Sequence, residues 1–577
     1  MTTWSRVVGV LRARFATVVA ALVLLVGIVE VASVLTPHFR DRMRVAIQSL
    51  GGVSVHSAAA LALVSGCLLV VVSHGLRRRK ARAWRIAVGL LSVTAALNIA
   101  KGLNFEESAV ALVVLAVLVS ARGQFTAASD PRSRIQAPFA FVGLTIASTG
   151  LGLAALQLRS SRLVGPHPLS SQAEQVILGL IGVPGPLRFA SDGVSDLFFR
   201  LFLGLGLFTL LVTAYLVLRP AEPLATLSAK DEWELRGLLD LHGEADSLGY
   251  FALRRDKAVV WSPSRKAAVS YRVVSGVMLA SGDPLGDIEA WPGAIERFLE
   301  IAREHAWTPA VMGCSERAGT VWSRAGLDAL ELGDEAVVDV STFSLEGRSM
   351  RNVRQAVARA DRAGYAVDVR RLRELPPAEL GEVQAAVRRW RGTKTERGFS
   401  MALGRLGDAA DGNAVVVRAL HNGQLAGVLH FVPWGTDGLS LDLMVRDRSA
   451  DNGLNELLIT RLLAEAPRLG VEHVSLNFAM FRAALARGER LGAGFVLRLW
   501  CGVLRLLSRW FQIESLYKFN AKFQPTWVPR YVCYPRARDL ARIGLAALEA
   551  EAFIVWPTPR REASRPSIRG VDASLKA

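Results

Sequence analysis

The chain has 577 residues, of which 51% are hydrophobic and only 21% are charged. This length exceeds what one compact core supports, and the apolar composition excludes a disordered or collagen-like chain and argues against a wholly soluble protein. The four cysteines, Cys67, Cys314, Cys501 and Cys533, lie far apart, so the sequence predicts neither a disulfide framework nor a structural zinc site.

The positive charge is concentrated in the apolar N-terminal part of the chain. The formal net charge is +18; residues 1–220 carry 21 Lys/Arg and 8 Asp/Glu, whereas the remaining residues carry 48 and 43. Basic residues beside apolar runs are typical of the ends of membrane spans. The charge therefore indicates a membrane region rather than a surface uniformly suited to nucleic acid.

Six apolar runs are predicted to cross a bilayer, which takes roughly 20 residues. They are residues 16–36, 53–75, 84–100, 107–121, 138–158 and 199–218. With the N-terminus inside, cytoplasmic segments carry twelve basic residues and outer loops seven, so we expect the N-terminus and the C-terminal half to be cytoplasmic. Only Glu30 is acidic in mid-span, which favours an anchoring role; a lipid-handling groove between helices is the alternative.

After Pro220 short β-like runs alternate with helical patterns, which predicts an α/β or α+β region. Strands are predicted at Ala258–Trp261, Gly276–Ser281, Ala336–Val340, Ala414–Leu420, Gly427–Pro433, Leu439–Val445 and Val471–Asn477, and helices near 291–305, 348–363, 376–391 and 454–468. The length favours two lobes, 221–345 and 346–545, followed by a partly disordered tail, 546–577.

The strand Leu439–Val445, the turn at Gly453 and the helix that follows form the most informative unit. A helix N-terminus exposes backbone N–H groups that bind an anion or a developing oxyanion, which makes Gly453 and Asn455 candidates for such a turn. An ordinary strand–helix–strand unit is the alternative.

Two helical segments carry arginines on one side. Arg348, Arg351, Arg359 and Arg362 fall within a sector of about 80°, which favours a phosphate-rich partner over a merely solvated basic face. In residues 495–513, three arginines lie within about 40° of one another on an otherwise apolar helix. They are Arg498, Arg505 and Arg509. This segment is typical of a helix on an anionic leaflet, or else of a core helix with one basic edge.

The segment 515–531 interleaves aromatic residues with Lys518, Lys522 and Arg530. This pattern predicts stacking on bases or phosphate binding, or equally a structural terminal strand.

Several motifs together carry a family resemblance. They are Ser281–Gly286, Gly347–Arg351, Ser440–Met444, Gly453–Glu456, Val474–Phe478, the stretch from Arg487 to Gly494, and Trp510 through Pro529. With these motifs, most of residues 225–540 resembles the catalytic domain of the phosphatidylglycerol lysyltransferase family, also called multiple peptide resistance factor. The likeness is strongest to the transferase part of actinobacterial lysylphosphatidylglycerol synthases.

The resemblance implies a multi-span helical membrane region followed by a cytoplasmic tandem GNAT-like domain. It implies transfer of an aminoacyl group, lysyl foremost, from aminoacyl-tRNA to a hydroxyl of phosphatidylglycerol, which adds positive charge to the membrane. One ester is exchanged for another, so no metal, ATP or cofactor is expected; the chemistry needs a positioned hydroxyl, a proton acceptor and oxyanion stabilisation.

By resemblance, Asp442 would hold or orient the substrate ammonium group, and Lys522 would neutralise phosphate or the oxyanion. The alternatives are a strand-end loop anchor for Asp442 and a surface charge for Lys522. Where the family has Asp-Leu-Met-Arg, this chain has Val445, with Arg446 one place later. Because a one-residue slip reverses the side-chain direction in a strand, either Arg446 substitutes through a bulge or the site is altered.

Further expectations follow from the resemblance. The bifunctional relatives carry a lysyl-tRNA synthetase domain after the transferase, for which this chain leaves no room before Ala577, so we expect it to use the general tRNA pool. Relatives that flip the product have more spans, so no complete flippase is expected. Two competing functions are a lipid-binding or flipping protein with a degenerate transferase domain, and an acyl-CoA-dependent acyltransferase. Against an acyl-CoA-dependent enzyme, the chain lacks near Gly453 the Gly-x-Gly spacing that is usual in a turn binding the CoA pyrophosphate.

Overall fold

The structure is a computed structural model that describes residues 3–35, 52–100, 105–125, 127, 133–218, 223, 225–392, 398–480 and 513–554. The chain divides into two compact units, the first mostly residues 1–224 and the second mostly residues 225–577.

The first unit is helical. Its helices are α1 (Thr3–Leu35), α2 (Gly52–Arg77), α3 (Ala81–Ala100), α4 (Phe105–Ser120), α5 (Ser133–Leu158), α6 (Leu169–Leu180) and α7 (Asp192–Leu218), and its two short strands are β1 (Leu163–Val164) and β2 (Arg188–Phe189). Each predicted apolar run coincides with one of α1–α5 or α7. In the described residues, four helical segments are long and apolar enough to cross a membrane, and Ser108–Ser120 is a shorter apolar helix. The orientation of these helices across the membrane, with the N-terminus inside, stays a prediction.

The second unit alternates strands and helices, as its sequence predicts. The helices are α8 (Ala229–His242), α9 (Trp291–Glu304), α10 (Glu316–Arg324), α11 (Arg351–Arg362), α12 (Pro377–Arg391), α13 (Leu454–Glu465), α14 (Ile513–Asn520) and α15 (Leu540–Ala550). The strands are β3 (Ala258–Trp261), β4 (Ala267–Val274), β5 (Val277–Ser281), β6 (Leu285–Gly286), β7 (Thr308–Cys314), β8 (Asp328–Asp339), β9 (Ala366–Arg371), β10 (Val415–His421), β11 (Gln424–Trp434), β12 (Gly438–Arg446), β13 (His473–Met480) and β14 (Thr526–Tyr534).

One continuous sheet runs through the second unit. Its strand order is β3-β4-β5-β7-β14-β8-β13-β12-β11-β10-β9, and β6 pairs with β4. The last strand, β14, belongs by sequence to the predicted second lobe, yet it lies between β7 and β8 of the first lobe. The second predicted lobe therefore contributes a strand to the sheet of the first, and the division at residue 345 does not separate the sheet into two independent halves.

Two layers cover the second-lobe part of the sheet. On one face, Leu439 and Leu441 of β12 pack in a large core with the apolar residues of α11 and α13. On the other face, Leu443 and Val445 pack with the apolar residues of α12. Burial on both faces explains the nearly continuous apolar runs from which these strands were predicted.

Candidate functional site

Two neighbouring parallel strands of the sheet, β12 and β13, pair over only a short stretch. Their ladder joins Gly438–Ser440 to His473–Ser475, and β12 then continues to Arg446 without pairing to β13. We call the region between β12 and β13 beyond Ser440 and Ser475 the strand gap. A sheet that opens in its interior exposes backbone and side-chain polar groups to a ligand.

Both strands are irregular where the gap begins. On β12, Asp442 is an extra residue between the two that pair with His430 and Phe431 of β11. On β13 the register shifts just after Ser475, and Asn477 has a positive φ of +70°. Its side-chain amide donates to the Leu441 carbonyl across the gap. Bulges are frequent beside active sites because they redirect a side chain.

The bulge directs Asp442 towards a buried histidine. The Oδ2 atom of Asp442 lies 2.7 Å from Nδ1 of His430, and Oδ1 accepts a hydrogen bond of 2.5 Å from the Leu403 backbone N–H. His430 is fully buried, and the Asp442 side chain is 5% exposed. Because a carboxylate only accepts, the pair fixes the His430 hydrogen on Nδ1.

The other ring nitrogen of His430 is buried, and no hydrogen-bond partner for it exists among the described residues. An unpaired buried polar atom is costly, and such atoms are concentrated at functional sites. With Nδ1 protonated, Nε2 presents a lone pair, which is the arrangement of a general base oriented by a carboxylate.

The loop that contacts Asp442, residues 399–403, is held in place by a buried glutamate. Glu551, at the end of α15, is 4% exposed and accepts hydrogen bonds from the backbone N–H groups of Phe399 and Ser400, at 2.7 and 3.0 Å. Phe399 and Leu403 pack in the core that also contains Val432 of β11. The Asp442 carboxylate therefore meets a rigid donor. Asp442 thus contacts both this loop and His430, and its role towards the substrate ammonium group stays a prediction.

Lys522 lies on the opposite face of the sheet. Its Nζ is 2.7 Å from Oε1 of Glu456 in the first turn of α13, and it lies 5.3 Å from the centre of the Phe519 ring. The lysine side chain is 40% exposed, whereas that of Glu456 is 11% exposed. Asn520, two residues earlier, donates to the Leu476 carbonyl at the start of the gap. Asp442 and Lys522 thus lie on opposite faces of the sheet, and Lys522 follows closely after a residue that contacts β13.

The Arg446 side chain has backbone acceptors after the end of β12. Its guanidinium donates to the backbone carbonyls of Ala450 and Asp451, both at 2.9 Å, and so holds the turn that leads into α13. Val445 packs in the core beneath α12. The bulge in β12 lies at Asp442, and the substitution of Arg446 for the family arginine stays a prediction.

The turn at Gly453 has a packing role. Its φ is +109°, and a Cβ there would lie 2.9 Å from the Ala356 carbonyl oxygen of α11, so only glycine fits. Asn455, in the first turn of α13, has a buried side-chain oxygen without a hydrogen-bond partner in the described part of the chain. Gly453 therefore brings α11 against α13, and Asn455 remains the polar group of this turn.

The basic helix predicted from Arg348 corresponds to α11 and the turn before it, and its arginines are exposed. The exposed arginines are Arg348, Arg351, Arg359 and Arg362. The acidic residue among them, Asp361, pairs with Arg461 at 3.0 Å, which neutralises its charge. Lys518 on α14 is also exposed. The other predicted basic helix, with Arg498, Arg505 and Arg509, lies outside the described residues.

A buried ionic cluster lies next to the last paired residues of β12 and β13. Arg530 of β14 donates to Glu335 of β8 at 2.8 Å and to Asp246 at 2.7 Å. Ser475 of β13 also donates to Glu335, and Ser440 of β12 donates to the Ser247 carbonyl. We call Arg530, Glu335, Asp246 and Ser247 the arginine cluster. The charges of the two carboxylates raise the pKa of Arg530 despite its burial, so its charge is permanent.

Asp283 adjoins this cluster and makes folding stability depend on pH. Burial, and secondarily the charge of Asp246, raise its pKa to about 7. An unfolded aspartate titrates near about 3.9, so between these values the folded chain binds the extra proton and stability falls as pH rises. We expect the unfolding temperature of detergent-solubilised protein to fall from pH 5 to pH 8 by a larger amount in the wild type than in Asp283→Asn. An equal change in both would contradict this assignment.

Sequence reasoning missed three polar residues of the site: His430, Glu456 and Asn477. The available signal for His430 was its position as the one polar side chain in the apolar run Gly427–Pro433.

One group of the described residues has the composition of a metal site, since ligand atoms of Asp437, Glu472 and His473 lie within 4.8 Å of one another. These residues stand where β12 and β13 begin, at the opposite end from Asp442.

Comparison with known proteins agrees with the resemblance. Residues 236–534 match the family described as phosphatidylglycerol lysyltransferase, C-terminal, and residues 11–217 match the transmembrane region of lysyl-tRNA synthetase. These matches confirm the predicted order of a membrane region followed by a phosphatidylglycerol lysyltransferase domain.

Two relatives are named lysylphosphatidylglycerol biosynthesis bifunctional protein LysX. That of Mycobacterium avium is 42% identical over 507 residues, which cover 86% of this chain and 43% of the relative. That of Mycolicibacterium gilvum is 43% identical over 512 residues, which cover 86% of this chain and 46% of the relative. The matched region is thus less than half of these relatives' own length.

Two solved structures are also similar. One is the C-terminal domain of a putative lysylphosphatidylglycerol synthetase from Agrobacterium fabrum, with a TM-score of 0.47 and 24% identity over 55% of this chain and 96% of that chain. The other is L-PGS from Bacillus licheniformis, with a TM-score of 0.49 and 20% identity over 58% of this chain and 99% of that chain. From the sequence matches, the chain belongs to the lysylphosphatidylglycerol synthase family.

Proposed function

We propose that this membrane protein transfers an aminoacyl group, lysyl foremost, from aminoacyl-tRNA to phosphatidylglycerol. The observation that carries the proposal is the Asp442–His430 pair at the strand gap, with Nε2 of His430 buried and unpartnered among the described residues. An ester exchange between two hydroxyl-bearing substrates needs a base of this kind. The names of the relatives, LysX, and family membership support the lipid and the aminoacyl group as substrates.

The reaction exchanges one ester for another. A glycerol hydroxyl of the lipid gives its proton to Nε2 of His430 while its oxygen bonds to the aminoacyl carbonyl carbon. The bond from that carbon to the tRNA ribose oxygen then breaks, and the ribose oxygen takes the proton back from Nε2. Asp442 keeps the ring in the reactive tautomer and stabilises the cation formed between the two steps.

The groups proposed to act on the two substrates lie on opposite faces of the sheet. The Asp442–His430 pair lies on the face of Leu403 and Val432, whereas Lys522 and Glu456 lie on the face of α13. The exposed arginines of α11 are on an element that packs against α13. We infer that tRNA approaches from the α13 face, that the lipid hydroxyl is activated from the other face, and that they meet in the strand gap.

Lys522 is proposed to neutralise the charge that develops on the carbonyl oxygen. We expect Lys522→Ala to lower turnover by about 10²-fold or more, as loss of an oxyanion donor does, with little change in KM. Lys522→Arg, which keeps the charge, should retain part of the activity. Lys266→Ala, at an exposed turn of the first lobe, is the matched control and should behave as wild type. Wild-type turnover in Lys522→Ala would remove it from the site.

The exposed face of α11 is proposed to bind the tRNA backbone. We expect Arg351→Ala combined with Arg359→Ala to raise KM for aminoacyl-tRNA and to lower the slope of log affinity against log salt by about one for each phosphate that the helix no longer neutralises. The control pair is Arg317→Ala with Arg324→Ala on α10, where both arginines are exposed. An unchanged KM and salt slope would leave α11 as a solvated basic face.

Lipid mass spectrometry tests the function itself. The chain is expressed in a bacterial host that makes phosphatidylglycerol but no aminoacylated lipids, beside Asp442→Asn as a matched inactive form. The expected result is a phosphatidylglycerol species heavier by one aminoacyl residue, whose mass names the amino acid. Purified protein should form it from charged tRNA and not from acyl-CoA. No new lipid, despite membrane expression and charged tRNA, would favour a lipid-binding protein with a degenerate transferase domain.

The membrane region is proposed to hold the second unit at the cytoplasmic leaflet, where charged tRNA is available. The positive-inside bias of residues 1–220 supports this orientation. It is tested by protease accessibility of the second unit in inside-out and right-side-out vesicles. Cleavage in right-side-out vesicles alone would reverse the orientation.

A further inference from the structure

Helix α8 is the first helix after the apolar helices of the first unit, and its two sides differ. Its inner side is buried: Leu235 is fully buried, and Leu238 and Leu239 pack against the same core. Its outer side carries Trp233 and Leu241, which are 76% and 77% exposed. Two such large apolar side chains on one exposed helix face are unusual for a surface in water.

This face is distinctive within the second unit. Among the described residues from 225 onwards, the other exposed large apolar side chains are Ile288 and Leu545, which are 38% and 58% exposed and lie on different elements. Trp233 and Leu241 are eight residues apart, which places them within about 80° of each other and about 12 Å apart along the helix. Gly237 lies between them, and a Cβ there would meet no atom within 4 Å. The apolar face is therefore open.

Three of the four acidic residues of α8 have ionic or hydrogen-bonding partners. Glu232 pairs with Arg236 at 2.9 Å and with Arg405 at 2.6 Å. Glu234 pairs with Arg265, and Asp231 accepts a hydrogen bond from the Trp261 indole. Two exposed charges of opposite sign lie beside the apolar pair: Lys230, which is 3.9 Å from Glu234, and Asp240.

We propose that the Trp233–Leu241 face of α8 is a membrane-docking surface that inserts into the headgroup region of the bilayer. The last apolar helix ends at Leu218, and α8 begins at Ala229, so the connecting residues span at most about 37 Å. The face is thus tethered to a membrane helix at short range. Tryptophan and leucine on one side of a helix are the residues that partition to this depth.

The net charge of the Trp233–Leu241 face indicates which interaction would drive its binding to the bilayer. Lys230 and Asp240 cancel, so attraction to anionic lipids contributes little, and apolar insertion supplies the affinity. This distinguishes α8 from the basic segment 495–513, whose three arginines suit an anionic leaflet. The inference goes beyond the proposed transfer reaction, because it concerns lipid contact alone.

The test is photo-cross-linking of the full chain in nanodiscs. A benzophenone amino acid replaces Trp233 or Leu241, and the matched control carries it at Gln355, an exposed position of α11. We expect lipid adducts at both α8 positions in at least about tenfold excess over the control, as interfacial burial requires. Nanodiscs of phosphatidylcholine alone and of phosphatidylglycerol-rich lipid should give similar yields. The unfolding temperature of each variant shows that it is folded.

Three results would overturn the proposal. The first is a lipid yield at Trp233 and Leu241 no greater than at Gln355. The second is cross-linking of α8 to a peptide of a second copy of the chain, which would make the face a protein contact. The third is lipid adducts that form in phosphatidylglycerol-rich nanodiscs alone, which would assign the contact to charge instead of apolar insertion. None of these readouts depends on aminoacyl transfer, so each is independent of the proposed reaction.

Discussion

Asp442→Asn is expected to lower aminoacyl transfer by about 10²–10⁴-fold, the contribution of a positioned general base. The asparagine oxygen still accepts the Leu403 N–H, so the loop stays in place. Its amide, however, donates to Nδ1 of His430, which moves the ring hydrogen to Nε2. The reactive lone pair is lost while shape and burial are kept. His430→Ala is expected to be equally inactive, because it removes the base directly.

The two variants are compared by the rate of lipid product formation at saturating charged tRNA. The matched control is His421→Ala on β10, a half-buried histidine that stacks on Tyr365 away from the strand gap and should retain transfer. The double variant Asp442→Asn with His430→Ala should be no slower than either single variant, because the residues act as one unit. Fully additive losses, or wild-type rates in folded His430→Ala, would contradict a shared role.

Local patterns predicted most of the strands that build this site. Gly427–Pro433 and Leu439–Val445 are nearly continuous apolar runs, and both are strands buried on two faces. Strand Ala267–Val274 was missed, because its run mixes small and polar residues with valine. The position of Thr526–Tyr534 between β7 and β8 could not be predicted either, since the choice of a strand partner some 200 residues away leaves no local pattern.

The candidate site was predictable only in part, for a related reason. Asp442 was found through the resemblance, but its partner His430 is twelve residues earlier in a different strand. The contact depends on a bulge of one residue in β12, and a bulge changes which way a side chain points without changing the hydrophobic pattern. Lys522 was likewise found without its partner Glu456, because helix α13 presents its first turn to a segment that follows 66 residues later.

The arginine cluster gives the second large expected effect, which concerns stability. Arg530→Met is expected to destabilise the second unit by about 3–5 kcal/mol, because it leaves Asp246 and Glu335 charged, buried and unpaired. Thermal unfolding of the detergent-solubilised chain measures the loss.

The matched control is Arg536→Met, at a side chain that is 62% exposed and forms a 3.5 Å surface pair with Asp539. Its cost should stay below about 1 kcal/mol, as for other exposed ion pairs. Adding Glu335→Met to Arg530→Met should recover part of the lost stability, because fewer buried charges then lack a partner. Equal losses in Arg530→Met and Arg536→Met would mean that the cluster does not hold the strands together. A larger loss at Arg530 would show the cost of leaving two buried carboxylates without a counter-charge in the cluster to which Ser475 of β13 and Ser440 of β12 are hydrogen-bonded.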